Sequence, residues 1–302
     1  MKELLITGAW RCGEQQVQAL EQMGYAVTFW PDERQAVNMD TQRFEAVICG
    51  GLFLTTPIER FSALKCIQLT SAGLDRVPLD YCKAHGITVY NAGGVYSAPM
   101  AEFVLGGILQ LYKESKFFAE NQAAHRWEQH RGLRELSGKT AWIIGTGSVG
   151  SAIARRLRAF DVQTVGMNRS GHPAEEFDQT QPNCRLDDLL PLADLVICAM
   201  PLTAETAGLF ESVRLAKIKP GAVFVNVARG KVTDQQALVE ALQSGQLFGA
   251  VLDVFEEEPL PRSSPLWDME QVILTPHNSF VGEHNGERLF RQICKNLESF
   301  AQ

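Results

Sequence analysis

Short apolar runs bounded by glycine, asparagine or charged residues recur along this chain, with stretches of helical period between them. Residues 2–7, 25–30, 46–49, 66–70 and 87–90 are short runs rich in branched and aromatic side chains and predict strands. Residues 14–23 carry their apolar positions at helical spacing and predict a helix. Alternation of this kind builds parallel βα units, so the first part of the chain predicts one small α/β domain. From about Pro99 a long apolar helix, MAEFVLGGILQLYKESKFF, leads out of it. Its apolar residues cover more than one face, which predicts burial against a second domain or subunit. A polar connection bearing Trp127 follows at 121–138.

A second strand series then begins at 141–144 and continues at 163–167, 195–199, 222–227, 248–254 and 272–274. Helical patterns at 216–218 and 235–244 lie between some of them. This is the pattern of a complete doubly wound domain. The last helix, 283–300, has no sheet of its own to follow and is expected to return to the first domain. The predicted organisation is thus a discontinuous domain, 1–92 plus 279–302, with a second domain, 93–278, inserted into it.

At the head of the second series an apolar run breaks into the turn GTGSVG, with Gly145, Gly147 and Gly150 in the order G-x-G-x-x-G. Small and apolar residues continue at helical spacing. Strand before and helix after are the context in which this motif binds a dinucleotide. The first glycine permits the bend, the second lets backbone approach a pyrophosphate, and the third lets helix pack on strand. The backbone of Gly145, Gly147, Ser148, Val149 and Gly150 then faces the phosphates with the positive end of a helix. NAD-specific folds place a carboxylate at the end of the next strand. Here that strand ends in Asn168-Arg169-Ser170. A guanidinium and a hydroxyl suit a 2′-phosphate, so NADPH is the expected cofactor over NADH.

Composition narrows the rest. The chain has 302 residues, 45% hydrophobic and 21% charged, enough for two cores. A net charge of −7 gives no electrostatic footprint for nucleic acid or an anionic membrane. No apolar run reaches membrane-spanning length and no signal-peptide pattern opens the sequence, so a cytoplasmic protein is expected. Seven scattered cysteines, without a C-x-x-C pair, read as free thiols rather than disulfides or a metal site. The stretch GAWRCG lacks the Lys-Ser/Thr of a P-loop and reads as an ordinary turn.

Three residues near the C-terminus supply chemistry. Arg229 follows FVNVA, Glu258 follows GAVLDVFEE, and His277 follows VILTP. Each lies just past a predicted strand, and the C-terminal ends of parallel strands converge on one ligand edge. Glu258 on one imidazole nitrogen of His277 would favour the protonated ring near neutral pH. The other nitrogen would donate a proton to a ketone oxygen, and Arg229 would grip the adjacent carboxylate.

With these motifs in place, the sequence resembles the D-isomer-specific 2-hydroxyacid dehydrogenases over nearly its whole length. The resemblance rests on GTGSVG, PLTAET at 201–206, NVARG, LDVFEEEP and TPH. It implies a Rossmann domain inserted in a flavodoxin-like substrate domain, with catalysis in the cleft between them by Arg229, Glu258 and His277. It implies that Asp253 binds the nicotinamide carboxamide and that Pro201, Thr206, Val227 and Ala228 line the cofactor groove. LTSAGLDRVPLD matches the family's substrate loop, where the N–H groups of Ala72 and Gly73 would receive the substrate carboxylate beside Arg229 and His277. Asn91 and 275–278 would be hinges, with Ala101-Glu102 opening the interdomain helix. A homodimer through that helix and the Trp127 connection is implied as well. The departures are Asn168, where an aspartate is common, and Asn278, where an apolar residue is usual.

The resemblance implies reduction of a small 2-keto acid to its D-2-hydroxy acid, with glyoxylate or hydroxypyruvate favoured and no metal. The absence of a C-terminal regulatory domain disfavours a serine-regulated phosphoglycerate dehydrogenase. Side chains near Leu52, Phe53, Tyr96 and Phe280 would set pocket size. Formate dehydrogenases pair the histidine with glutamine, against Glu258 here. Tyr112 and Lys116 form a Y-x-x-x-K pair, but they precede the glycine turn and read as helix packing. A reading from another class is a dinucleotide-sensing, corepressor-like binding protein of the same fold.

Overall fold

The structure, a computed structural model, describes residues 1–301, which divide into two compact units. One comprises Met1–Tyr96 and the segment from Gly282 onward; the other is Ser97–Val281. The first unit runs β1 (Lys2–Thr7), α1 (Glu14–Gln22), β2 (Tyr25–Trp30), β3 (Ala46–Cys49), β4 (Cys66–Leu69), α2 (Leu79–Ala84) and β5 (Thr88–Tyr90). The strands form a parallel sheet in the order β2-β1-β3-β4-β5, a flavodoxin-like order. Consecutive side chains of β1 go to opposite faces, Leu5 to one core and Leu4 and Ile6 to the other. Residues 93–96, expected beyond this unit, stay with it: Val95 is in its core and the Tyr96 hydroxyl donates to the Thr70 carbonyl.

The second unit begins with α3 (Ser97–Tyr112) and α4 (Ser115–Ala123). The expected single helix is broken here, because Glu114 takes a left-handed φ of 48° and starts a new helix. The first helix packs on the sheet closely enough that a Cβ on Gly107 would lie 2.5 Å from Val251. Tyr112 is buried, edge-on to Phe248, and Lys116 Nζ donates to the Val272 carbonyl at 2.8 Å, so the Y-x-x-x-K pair belongs to helix packing. The polar connection is pinned by Arg134, which stacks 3.5 Å from the Phe248 ring centroid and donates to the Gly221 carbonyl.

There follow β6 (Thr140–Ile144), α5 (Ser148–Arg158), β7 (Gln163–Asn168), β8 (Gln179–Pro182), α6 (Leu186–Leu189), β9 (Leu195–Cys198), α7 (Ser212–Lys217), β10 (Ala222–Asn226), α8 (Gln235–Gln243), β11 (Leu247–Leu252) and β12 (Val272–Leu274). All pair parallel in the order β12-β11-β10-β9-β6-β7-β8. Trp142 and Ile144 face one core and Ala141 and Ile143 the other, so these strands are apolar throughout. The order reverses between β6 and β9, which puts the glycine turn at the switch point where α/β sheets bind ligands.

The last helix, α9 (Asn285–Ala301), belongs to the first unit. Leu289, Ile293 and Leu297, spaced by four, are buried in the core that holds Leu4 and Ile6. Tyr25 donates to the Leu297 carbonyl at 3.0 Å, and Asn296 donates to Gln68 Oε1 at 2.7 Å where both are buried.

Candidate active site

The glycine turn fits its expected use in each position. Gly145 has a φ of 109°, and a Cβ there would stand 2.7 Å from the Ala199 carbonyl oxygen. A Cβ on Gly150 would lie 1.9 Å from the Gly145 oxygen, so α5 could not lie so close to β6 with any side chain there. Gly147 has nothing within 4 Å of its Cβ position and is exposed, which leaves backbone open at the start of α5. Such a cradle fits a pyrophosphate, with the N–H groups of Ser148 and Val149 at the helix N-terminus.

At the end of β7, Asn168 is buried and its amide is used within the protein. Its Nδ2 donates to Thr146 Oγ1 at 3.2 Å and to the His172 carbonyl at 2.9 Å, and its Oδ1 accepts from Gly171 N–H at 2.7 Å. Asn168 therefore ties the glycine turn to the turn after β7. Arg169 and Ser170 remain exposed on that turn, with Ser170 Oγ 3.1 Å from His172 Nδ1. The hydrogen bond from Thr203 holds the Glu205 carboxyl below the usual range, and the positive charge of Arg169 adds to this. Thr206 closes the 201–206 turn on itself, accepting from Thr203 N–H and donating to the Pro201 carbonyl. Neither Thr146 nor His172 was singled out from sequence, since Thr146 fills a variable position of the glycine motif and His172 lies outside any motif.

The three chemical residues lie after β10, β11 and β12, all in the second unit. Val227 and Ala228 are buried, and Arg229 is half-buried with Nη1 on the Ala228 carbonyl at 2.8 Å. Asn226, given no role from the sequence although it opens the NVARG motif, shapes this turn: its Oδ1 accepts from Ala228 N–H and its Nδ2 donates to the Arg229 carbonyl. Gly230 is required by close approach, for a Cβ there would sit 1.8 Å from the Phe255 oxygen. The Arg229 turn is thereby pressed against the Phe255–Glu258 turn. Glu258 braces that turn through Oε1, which accepts from Phe255 N–H at 3.0 Å. Its Oε2 lies 2.8 Å from Nδ1 of His277, as the sequence led us to expect. That bond fixes the ring and leaves Nε2 for a reacting group.

His277 has a φ of 51°, a left-handed conformation that costs about 1–3 kcal/mol in a residue with a side chain. Its N–H donates to the Asp253 carbonyl at 2.8 Å. Asp253, for which the resemblance implies a cofactor contact, is enclosed by the loop that carries His277. Its carboxylate is 1% exposed and accepts from Thr275 Oγ1 at 2.6 Å, Asn278 N–H at 2.7 Å, Ser279 N–H at 3.0 Å and Ser279 Oγ at 2.5 Å. A carboxylate offers about four lone-pair sites, and four donors take them up.

In the first unit, the loop after β4 carries Ala72 and Gly73. The Ala72 carbonyl accepts from Asn91 Nδ2 at 2.7 Å and the Gly73 carbonyl from Ser71 Oγ at 3.0 Å. Both carbonyls are turned to internal partners. Among the described residues, no group of three or more His, Cys, Asp or Glu could hold a metal ion, and no helix is long and apolar enough to cross a membrane.

Known proteins are similar to this chain in sequence and in fold. The family described as "D-isomer specific 2-hydroxyacid dehydrogenase, NAD binding domain" matches residues 105–279. A glyoxylate reductase of Thermofilum pendens is 34% identical over 281 residues, 89% of this chain and 81% of its own. A glyoxylate/hydroxypyruvate reductase B of Salmonella schwarzengrund is 36% identical over 225 residues, 73% of this chain and 69% of its own. The D-isomer specific 2-hydroxyacid dehydrogenase of Xanthobacter autotrophicus Py2, solved with NADPH and MES, superposes with a TM-score of 0.80 at 30% identity, covering 98% of this chain and 93% of that one. The chain belongs to the D-isomer-specific 2-hydroxyacid dehydrogenase family. It is an NAD(P)-dependent oxidoreductase.

Proposed function

We propose that this protein reduces a small 2-keto acid, of the glyoxylate or hydroxypyruvate kind, to the D-2-hydroxy acid, and that it prefers NADPH. The observation that carries the reading is the 2.8 Å His277–Glu258 pair at the end of the sheet whose switch point holds the glycine turn. Bound NADPH supplies a hydride, and the residues described here do the rest. Arg229 receives the substrate carboxylate through its guanidinium fork. The same cation draws electron density from the adjacent carbonyl. In the first unit, the N–H groups of Ala72 and Gly73 are by themselves a candidate nest for a carboxylate. As hydride adds to the carbonyl carbon, the π pair moves to oxygen, which takes the proton from His277 Nε2. Glu258 holds the ring in line and balances its charge before transfer.

The names of the relatives support the substrate class, and the exposed Arg169-Ser170 pair beside a neutral Asn168 supports the cofactor preference. Gly145, Gly147, Ser148, Val149 and Gly150 would hold the pyrophosphate, with Pro201, Thr206, Val227 and Ala228 along the groove. A cytoplasmic homodimer completes the reading. Trp127, 98% exposed in the polar connection, is an apolar surface suited to a second copy. The test is turnover of glyoxylate, hydroxypyruvate and phenylpyruvate with limiting NADPH or NADH. Faster use of NADH removes the cofactor preference, and no turnover of any 2-keto acid removes the reaction. Sedimentation equilibrium at micromolar protein tests the dimer.

A further inference from the structure

The order of the first sheet reverses between β1 and β3, and the carboxyl ends of two such strands mark the crevice where doubly wound sheets receive a ligand. In this unit the chain's own Glu33 fills that crevice. Its Oε2 accepts from Thr7 Oγ1, at the end of β1, at 2.8 Å and from Gly50 N–H, after β3, at 3.0 Å. Its Oε1 accepts from Gly51 N–H at 2.5 Å. The Glu33 main-chain carbonyl accepts from Thr55 Oγ1 at 2.7 Å, so one residue clasps both ends of the 50–55 loop. The crevice has no spare room. A Cβ on Gly50 would lie 3.0 Å from Glu33 Oε1, 3.1 Å from Thr70 Oγ1 and 3.2 Å from the Ala9 methyl of the GAWRCG turn. Thr70 in turn donates its N–H to the Cys49 carbonyl at 2.8 Å and leads into the loop of Ala72 and Gly73. The far side of that loop is held by Asn91 on the Ala72 carbonyl and by Ala92 N–H on the Ser71 carbonyl.

We infer that Glu33 is a positioning residue for the substrate carboxylate: it takes up the donors at the switch point of the first sheet and props the near side of the Ala72–Gly73 loop. It acts through Gly50 and Thr70 and does not touch the substrate. An anion drawn to the N–H groups beside β1 and β3 meets a carboxylate there, and like charge turns it away. That leaves the nest after β4 as this unit's candidate for the keto acid. The inference rests on the proposed nest of Ala72 and Gly73. Loosening the clasp lets the 50–55 loop and Thr70 drift, and the nest loses the fixed geometry on which its affinity depends.

The experiment compares Glu33→Gln and Gly50→Ala in the full chain, with Ala72→Pro as the control that deletes an N–H of the nest. The readouts are KM for glyoxylate, KM for NADPH, and kcat per NADPH-binding site. Glu33→Gln keeps the shape but sets an amide N–H against the N–H of Gly50 or Gly51. Gly50→Ala pushes on Glu33 and Thr70 from the opposite side. Each should raise KM for glyoxylate about tenfold, while kcat and KM for NADPH stay within about twofold of the starting values. The two changes in one chain should raise KM little further, since both open the same clasp. If Glu33→Gln does not fold, Gly50→Ala carries the same readouts. A residue that only stabilises the fold would reduce the number of active molecules and leave KM for glyoxylate where it was. That unchanged KM, or a lower one once the negative charge is gone, overturns the inference. An unchanged KM in Ala72→Pro removes the nest itself, whereas a raised KM there alone removes only the part of Glu33, and the two failures are thereby told apart.

Discussion

His277 and Asn168 mark two ways in which a single side chain governs this site. The first meets Glu258 at 2.8 Å and presents its other nitrogen outward. Replacing it with alanine removes the proton donor while leaving the glycine turn intact. We expect kcat to fall by about 10²–10⁴-fold, with cofactor affinity, followed by fluorescence titration, little changed. Asn168 is a scaffold as much as a selector. Aspartate there would keep the acceptor for Gly171 N–H but turn an oxygen toward the His172 carbonyl, which now receives a donor. Asn168→Asp should lower unfolding stability by about 1–3 kcal/mol in urea titrations. Its negative charge should also shift kcat/KM toward NADH at the expense of NADPH. A variant as stable as the parent would show that the amide bonds to Thr146 and His172 matter little.

Among the elements, those buried on both faces could be read from sequence, and those ruled by local exceptions could not. The strands carrying Trp142–Ile144 and Val223–Val225 are apolar at every position because two cores enclose them. The strand Gln179–Pro182 was missed because it closes the sheet edge with polar residues and a proline, where no apolar run is demanded. The break at Glu114 gave no signal either, since a left-handed glutamate has none of the usual markers of a helix end. Arg229, Glu258 and His277 were legible because each follows a strand of one sheet. The duties of Asp253 and Asn226 were not, because they depend on which donors the folded loops bring to them. The helix α9 adds a prediction of its own. Burial pushes the Tyr25 phenol from 10.0 up to about 12, and its hydroxyl donates to the Leu297 carbonyl. A raised phenol favours the neutral folded form. Its stabilisation is therefore whole below pH 10 and drains away as pH rises to about 12. Alkaline unfolding followed by circular dichroism should lose that part of its pH dependence in Tyr25→Phe.

At the scale of the whole molecule, the two units differ in how the chain makes them. Ser97–Val281 is one unbroken stretch whose sheet is covered on both faces by its own helices and connections. Expressed alone, residues 97–281 should fold cooperatively and retain NADPH binding, as judged by thermal unfolding and by fluorescence of the bound nicotinamide. A fragment that is unfolded in both measurements would show that this core is not self-sufficient. The first unit has no such continuity. One of its two cores needs Leu289, Ile293 and Leu297 from the far end of the sequence.

During synthesis this separation orders events in time. The sheet that leaves the ribosome first, with Leu4 and Ile6 on its face, waits through the translation of the entire Ser97–Val281 stretch before α9 emerges to cover them. Domains fold as units while the nascent chain lengthens at about 5–20 residues per second. The later-made unit can therefore be finished while the earlier one still shows a bare apolar face. For that interval the nascent chain offers chaperones a target, and a ribosome stalled before codon 289 leaves the first unit without its cover.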